Sequence, residues 1–318
     1  MQRRSLLAAA MAAPALAQPA WPDRPIRLVV PFAAGTSTDI VGRLIAGHLS
    51  AGLGGAAVVV DNRAGAGGTI GSQNVAQSPP DGHSLLLGTI GTHTVNPHLM
   101  AGLGYDPERD FTPIIAHSKT KILLVVRPGL GPRDMAGFVA LARQRTLSIG
   151  TPGVGTSGHL AHAMLTQATG VETTHAPYRD GGRAMTDLLS GTLDALFYHT
   201  QFVRPHIEAG TILGLGITGA GRSVLLPAVP TFAQAGVQGL TVEAWWAIYG
   251  PARLPAAISG RVNAVLNAAL ARPETVVVLD RNGIEAMGGS ADDLIAFQRA
   301  EWLLWRDVVR QAGITSEG

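Results

Sequence analysis

The chain has 318 residues, 46% of them hydrophobic and 14% charged, with no cysteine. That balance supplies core for two domains and excludes a disordered chain, while the missing thiol excludes disulfides, a cysteine nucleophile and a lipidated cysteine anchor. The formal net charge is +2; removing residues 1–17 takes away Arg3 and Arg4 and no acid, which leaves 22 of each sign and no basic footprint for nucleic acid.

Arg3 and Arg4 precede an apolar run from Ser5 to Leu16, and Ala15-Leu16-Ala17 fits the small-x-small rule for signal peptidase. Residues 1–17 therefore read as a secretory signal, with Arg3-Arg4-Ser5 leaving a twin-arginine route open beside ordinary export. Neither this run nor any later one is long enough to span a bilayer, so the expected product is free in the periplasm and not membrane-inserted. Ile26 to Pro31 then reads as a strand. It is followed by a helix with Ile40, Val41, Leu44, Ile45 and Leu49 on one face at the 3.6 period. Val58–Val60 and Ser84–Gly88 are the next strands, separated by the glycine-rich Gly65-Ala66-Gly67-Gly68 and a helix to about Gln77. Further strands are expected at Ile122–Val126, Leu147–Gly150, Thr173–Ala176, Leu193–Tyr198, Leu213–Thr218 and Val242–Gly250. Helices are expected at Asp134–Arg143, Ser157–Thr169, Gly182–Leu189 and Phe202–Ala209. Two helical segments and a closing helix, Ala291 to Gln311, finish the chain; its stripe of Leu294, Phe297, Trp302, Trp305 and Val309 reads as core. The βαβα order predicts α/β architecture with mostly parallel sheets covered on both faces. No low-complexity linker divides the chain, so two lobes would be joined by crossing strands, with Lys119–Val125 and Ala244–Gly250 as the candidates.

Three stretches rich in Gly, Ser and Thr lie where a strand leads into a helix: Gly35-Thr36-Ser37-Thr38, Thr89-Ile90-Gly91-Thr92 and Gly153-Val154-Gly155-Thr156-Ser157. Helix N-termini offer unpaired N–H groups to an anion, and ligands of open α/β sheets sit outside the strands' carboxyl ends. Ordinary helix capping explains any one of these loops equally well. Gly153-x-Gly155-x-x-Gly158 matches the dinucleotide fingerprint, but Glu172 precedes the next strand instead of ending it, so the ribose contact is missing. No Gly-x-Ser-x-Gly elbow or P-loop is present. His159 and His162 lie one turn apart without a third nearby ligand, so no metal site is expected; His159 is read as capping or packing, and His162 as facing solvent.

Six stretches in register carry a resemblance: Pro25-Ile26-Arg27-Leu28-Val29-Val30-Pro31-Phe32 leading to Thr38-Asp39; Asp61-Asn62-Arg63-Ala64-Gly65-Ala66-Gly67-Gly68; Pro80-Asp81-Gly82-His83-Ser84-Leu85-Leu86; Gly155-Thr156-Ser157-Gly158-His159-Leu160; Ala176-Pro177-Tyr178-Arg179; and Leu226-Pro227-Ala228-Val229-Pro230-Thr231. Together they are similar to the Bug-type receptors of tripartite tricarboxylate transporters, from about Trp21 to Ile314. The resemblance implies a two-lobed periplasmic binding protein fold of type II character. One lobe would be built from 18–118 and 246–318, the other from 119–245. It implies a solute-binding protein, not an enzyme; no cofactor is expected, and a monomer is. Such a protein captures a small carboxylate in the cleft and delivers it transiently to membrane permease subunits. A periplasmic sensor input needs the same cleft and stays open at this point, as does, more remotely, a secreted α/β enzyme. Carried over by position, the ligand-binding residues are Phe32, Ala33, Thr36, Ser37, Thr89, Thr92, Gly155, Thr156, Ser157, Tyr178, Tyr198, His199 and Thr200. The chain departs from the family in the first loop and at Tyr198-His199-Thr200, where an acid is common. His199 acting as an imidazolium would make affinity fall as pH rises past about 6.5.

Overall fold

The computed structural model describes residues 21–179, 181–311 and 314, so the expected signal segment lies outside the described residues. The first half supplies β1 (Ile26–Val30), α1 (Ser37–Gly52), β2 (Val58–Asn62), α2 (Thr69–Ala76), β3 (Ser84–Thr89), α3 (Asn96–Leu99) and β4 (Phe111–Thr120). The middle supplies β5 (Ile122–Val126), α4 (Met135–Gln144), β6 (Leu147–Thr151), α5 (Ser157–Thr169), β7 (Thr173–Pro177), α6 (Gly181–Ser190), β8 (Ala195–His199), α7 (Thr200–Glu208) and β9 (Leu213–Ile217). The last part supplies β10 (Ala244–Pro251), α8 (Ala256–Leu270), α9 (Pro273–Arg281), β11 (Ile284–Gly288) and α10 (Ala291–Gln311).

These strands form two sheets, ordered β11-β4-β10-β3-β1-β2 and β7-β6-β8-β5-β9. Both are mixed, which corrects the expectation of mostly parallel sheets. Each sheet has a parallel nucleus from its own βαβ units, β2-β1-β3 in one and β7-β6-β8 in the other. The strands that enter from the opposite sheet run the other way: β10 is antiparallel to β3 and β4, and β5 to β8 and β9. Only Lys121 separates β4 from β5, and the return path is the 218–243 stretch. The two crossings lie side by side: the Lys119 ammonium meets the Glu243 carboxylate at 2.8 Å, and Thr218 Oγ1 accepts from the Ile122 N–H.

Strand period two places the core on both faces of each sheet. Along β1, Leu28 and Val30 pack with Val41, Ile45 and Leu49 of α1 and with Val262 and Leu266 of α8. Val29 turns the other way, into the cluster containing Leu86 and Tyr249. Along β5, Leu123 and Val125 pack beside Ala184, Leu188 and Val203 of α6 and α7, while Ile122, Leu124 and Val126 face Phe138 and Leu160. Truncating a fully buried leucine at such a position costs about 2–5 kcal/mol. Leu294, Trp305 and Val309 of α10 are buried as its stripe implies.

Candidate functional site

The residues that follow β1, β6 and β7 and those at the carboxyl ends of β3 and β8 come together on a single cavity between the sheets. It is lined by Phe32, Thr36, Ser37, Thr38, Thr89, Ile90 and Gly91 on one side, and by Pro152, Thr156, Ser157, Tyr178, Arg179, Tyr198 and His199 on the other, with Ala244, Trp245 and Trp246 of β10 behind. Nine of the thirteen residues expected to bind ligand are on this wall.

The first loop is held by Asp39. Its carboxylate accepts from the Gly35 N–H at 2.9 Å, Asn62 Nδ2 at 2.9 Å and Arg43 Nε at 3.0 Å. Burial opposes its ionisation, but these hydrogen bonds outweigh burial and hold the carboxyl below its usual range. Gly35 adopts φ +79, a left-handed turn that costs glycine nothing. Thr36 is the N-cap of α1, its Oγ1 accepting from the Asp39 N–H. The Trp246 indole donates to Thr38 Oγ1 at 3.1 Å. That leaves the buried Ser37 hydroxyl with no hydrogen-bond partner, on the wall of the cavity. Such groups are rare enough to need a reason.

Across the cavity, Thr156 precedes α5 and its hydroxyl donates back to the Gly153 carbonyl at 2.7 Å. Ser157 opens the helix, and its Oγ lies 3.1 Å from His199 Nε2. His199 Nδ1 is buried and unpaired, and its ring stands edge-on to Trp246 at 5.5 Å. Burial pushes the His199 pKa down to about 4, so the side chain is neutral at pH 7 and not the imidazolium considered from the sequence. Tyr178 donates its hydroxyl to Asp187 at 2.9 Å and lines the cavity. Trp245 is fixed by a bond from its indole to Glu301 of α10.

Four expected residues serve the frame instead of the wall. The Ala33 carbonyl accepts from the Thr36 hydroxyl at 2.7 Å. Thr92 is fully buried, its Oγ1 accepting from the Thr89 N–H and lying 2.8 Å from His93 Nδ1. Gly155 gives its N–H to His159 Nδ1 at 3.1 Å. The Thr200 N–H and Oγ1 both bond the Lys121 carbonyl, at the crossing between the sheets. His162 is corrected too: it is buried, not solvent-facing, because α5 lies on β7, where His162 Nε2 meets Thr173 Oγ1 at 2.7 Å and its ring stacks on His175.

Thr38, Ile90 and Gly91 lay in the loops read as anion-binding but not among the thirteen residues, whereas Pro152, Ala244, the tryptophan pair and Arg179 were missed as wall residues. The tryptophans read only as strand, and Arg179 sat unassigned beside Tyr178. The cavity carries no carboxylate among its described lining residues, whereas the N-termini of α1 and α5 both open onto it. Their unpaired N–H groups and hydroxyls suit an anion, and the aromatic walls suit an apolar body.

Residues 41–314 match the model of the tripartite tricarboxylate transporter family receptor. The chain is 32% identical to the protein BugT of Bordetella pertussis, covering 96% of this chain and 94% of that one. A solved structure described as R. palustris Rpa4515 with adipate superposes with a TM-score of 0.89 at 36% identity, covering 93% of this chain and 99% of the other. MatC from Rhodopseudomonas palustris with bound malate gives 0.86 at 30% identity, covering 91% and 100%.

Proposed function

The chain belongs to the family of tripartite tricarboxylate transporter receptors, and on that premise we propose that it captures a small carboxylate between its two sheets and passes it to membrane permease subunits. The observation that carries this reading is convergence: α1 and α5, rooted in different sheets, open on one cavity that holds the unpartnered Ser37 hydroxyl and, among its described lining residues, no acid. A carboxylate seated there accepts from both helix starts at once. Adipate and malate in the two relatives described above belong to the same chemical class.

In this reading each sheet with its helices is one lobe, the lobes exchange chain at Lys121 and within 218–243, and a carboxylate favours the closed arrangement because only that arrangement offers both sets of donors. The protein works as a monomer in the periplasm, exported by residues 1–17. Among the described residues no single helix is long and apolar enough to cross a membrane.

The test is a thermal-shift screen of mono-, di- and aromatic carboxylates beside their amides. A ligand at a hundredfold excess over Kd stabilises the folded chain by about 2.7 kcal/mol. Stabilisation by acids and not by amides is the expected result; equal shifts for both, or none for any acid, overturn the reading.

A further inference from the structure

The cavity does not end at the helix starts. Phe32, Pro152, Tyr178 and Arg179 also line a second, wider chamber toward solvent, whose remaining wall is the glycine-rich run Ala64 to Gly68, Met100, Gly153, Val154 and Pro177. The two chambers therefore share an apolar waist, made by two aromatic rings and a proline, with one cation beside it. Among the described residues Arg179 is the single charged side chain on the wall of either chamber, and no acid of that set pairs with it. Asp187, on the helix that follows, is already engaged by Arg183 and the Tyr178 hydroxyl.

We infer that Arg179 is a specificity-determining residue that receives a second anionic group of the ligand. This rests on the carboxylate reading above and extends it: one carboxylate lies at the starts of α1 and α5, an apolar spacer crosses the waist, and a second carboxylate meets the guanidinium. Neutral donors inside and a cation outside divide the labour. N–H groups and hydroxyls seat the first anion without a buried charge, whereas the outer anion, half in water, needs a full charge and a planar fork for orientation. A monocarboxylate satisfies only the inner pole.

Isothermal titration of the full mature chain with succinate, glutarate, adipate and suberate, each beside the monocarboxylate of equal carbon number, tests this. One dicarboxylate should exceed its matched monocarboxylate by about tenfold at low ionic strength, the ratio shrinking as salt rises. In Arg179→Gln that ratio should fall to about one, and Arg179→Lys should restore part of it. Arg306→Gln, which removes the same charge from an exposed pair with Asp307, should keep the wild-type ratio. A dicarboxylate preference that survives Arg179→Gln overturns the inference, as does equal wild-type affinity for both partners of every pair. Either result leaves the inner carboxylate site standing, whereas absence of binding by every acid brings down the site itself.

Discussion

Ser157 separates two roles that the sequence left together. A serine at a helix start is ordinarily a cap, but here Thr156 holds the N-cap position and the Ser157 hydroxyl is 3.1 Å from His199 Nε2. Ser157→Ala should therefore lower carboxylate affinity by about one to two decades, the cost of losing a hydrogen bond to a charged group. Calorimetric titration beside urea unfolding reads both consequences; unchanged affinity would remove Ser157 from the site. The neutral state of His199 gives a companion expectation. With its pKa near 4 in the folded chain, carboxylate affinity should stay flat between about pH 6 and 8. A steep fall across that window would mean that a charged imidazolium does the binding. The donors of the site were legible in the sequence because Gly, Ser and Thr before a helix carry their chemistry in their own backbone and hydroxyl groups. Arg179 and the tryptophans were not, since a cation after a strand and an indole within one look the same whether they face solvent, core or cavity. His162 was misplaced for a related reason: periodicity fixes which face a residue occupies but not what later packs against it.

Among the elements, those with strong local signals were found from the sequence with their ends nearly in place. α5 spans Ser157–Thr169 and α10 spans Ala291–Gln311, the bounds expected. β4 and β11 were missed. β4 lies between β10 and β11 and is buried along much of its length, so it shows no alternation; it contains Pro113, and its register shifts twice against β10. β11 is a five-residue edge strand with two exposed residues in its middle. Non-local pairing formed both. The loops that face each other across the cleft lead to a second prediction. A Cβ on Gly91 would stand 2.7 Å from the Gly155 carbonyl oxygen, a contact between the turn after β3 and the loop before α5. Gly91 carries no left-handed φ, so alanine strains nothing within its own turn and collides with the facing loop alone. Gly91→Ala should weaken carboxylate binding by about one to two decades in calorimetric titration, from an overpacking cost of about 1–3 kcal/mol. Equal affinity in the variant would show that these loops do not meet in the bound state.

At the level of the whole molecule, burial of histidine sets the response to acid. His93, His117 and His175 are pushed down to about 3, and His159, His162 and His199 to about 4, in each case first by burial. An unfolded histidine titrates near 6.5. Between these values the unfolded chain binds more protons than the folded one, so this stability is complete above about pH 6.5 and is lost as pH falls toward 4. Each such histidine contributes a slope of about 1.4 kcal/mol per pH unit within that window. Urea midpoints should be level from about pH 8 to 7 and drop steeply below about 6; a level midpoint down to about 4.5 would contradict the buried, neutral assignment. The same two-sheet arrangement makes the central claim a geometric one, that one carboxylate is held by two helix starts belonging to different sheets. The measurement that tests it most directly is a crystal structure of the mature chain with the carboxylate that gives the largest thermal shift. The account predicts both carboxylate oxygens within hydrogen-bonding distance of groups at Ser37 and Ser157, with the ligand's body against Phe32 and Trp246. A ligand held by one sheet alone, or seated wholly in the outer chamber, would contradict it.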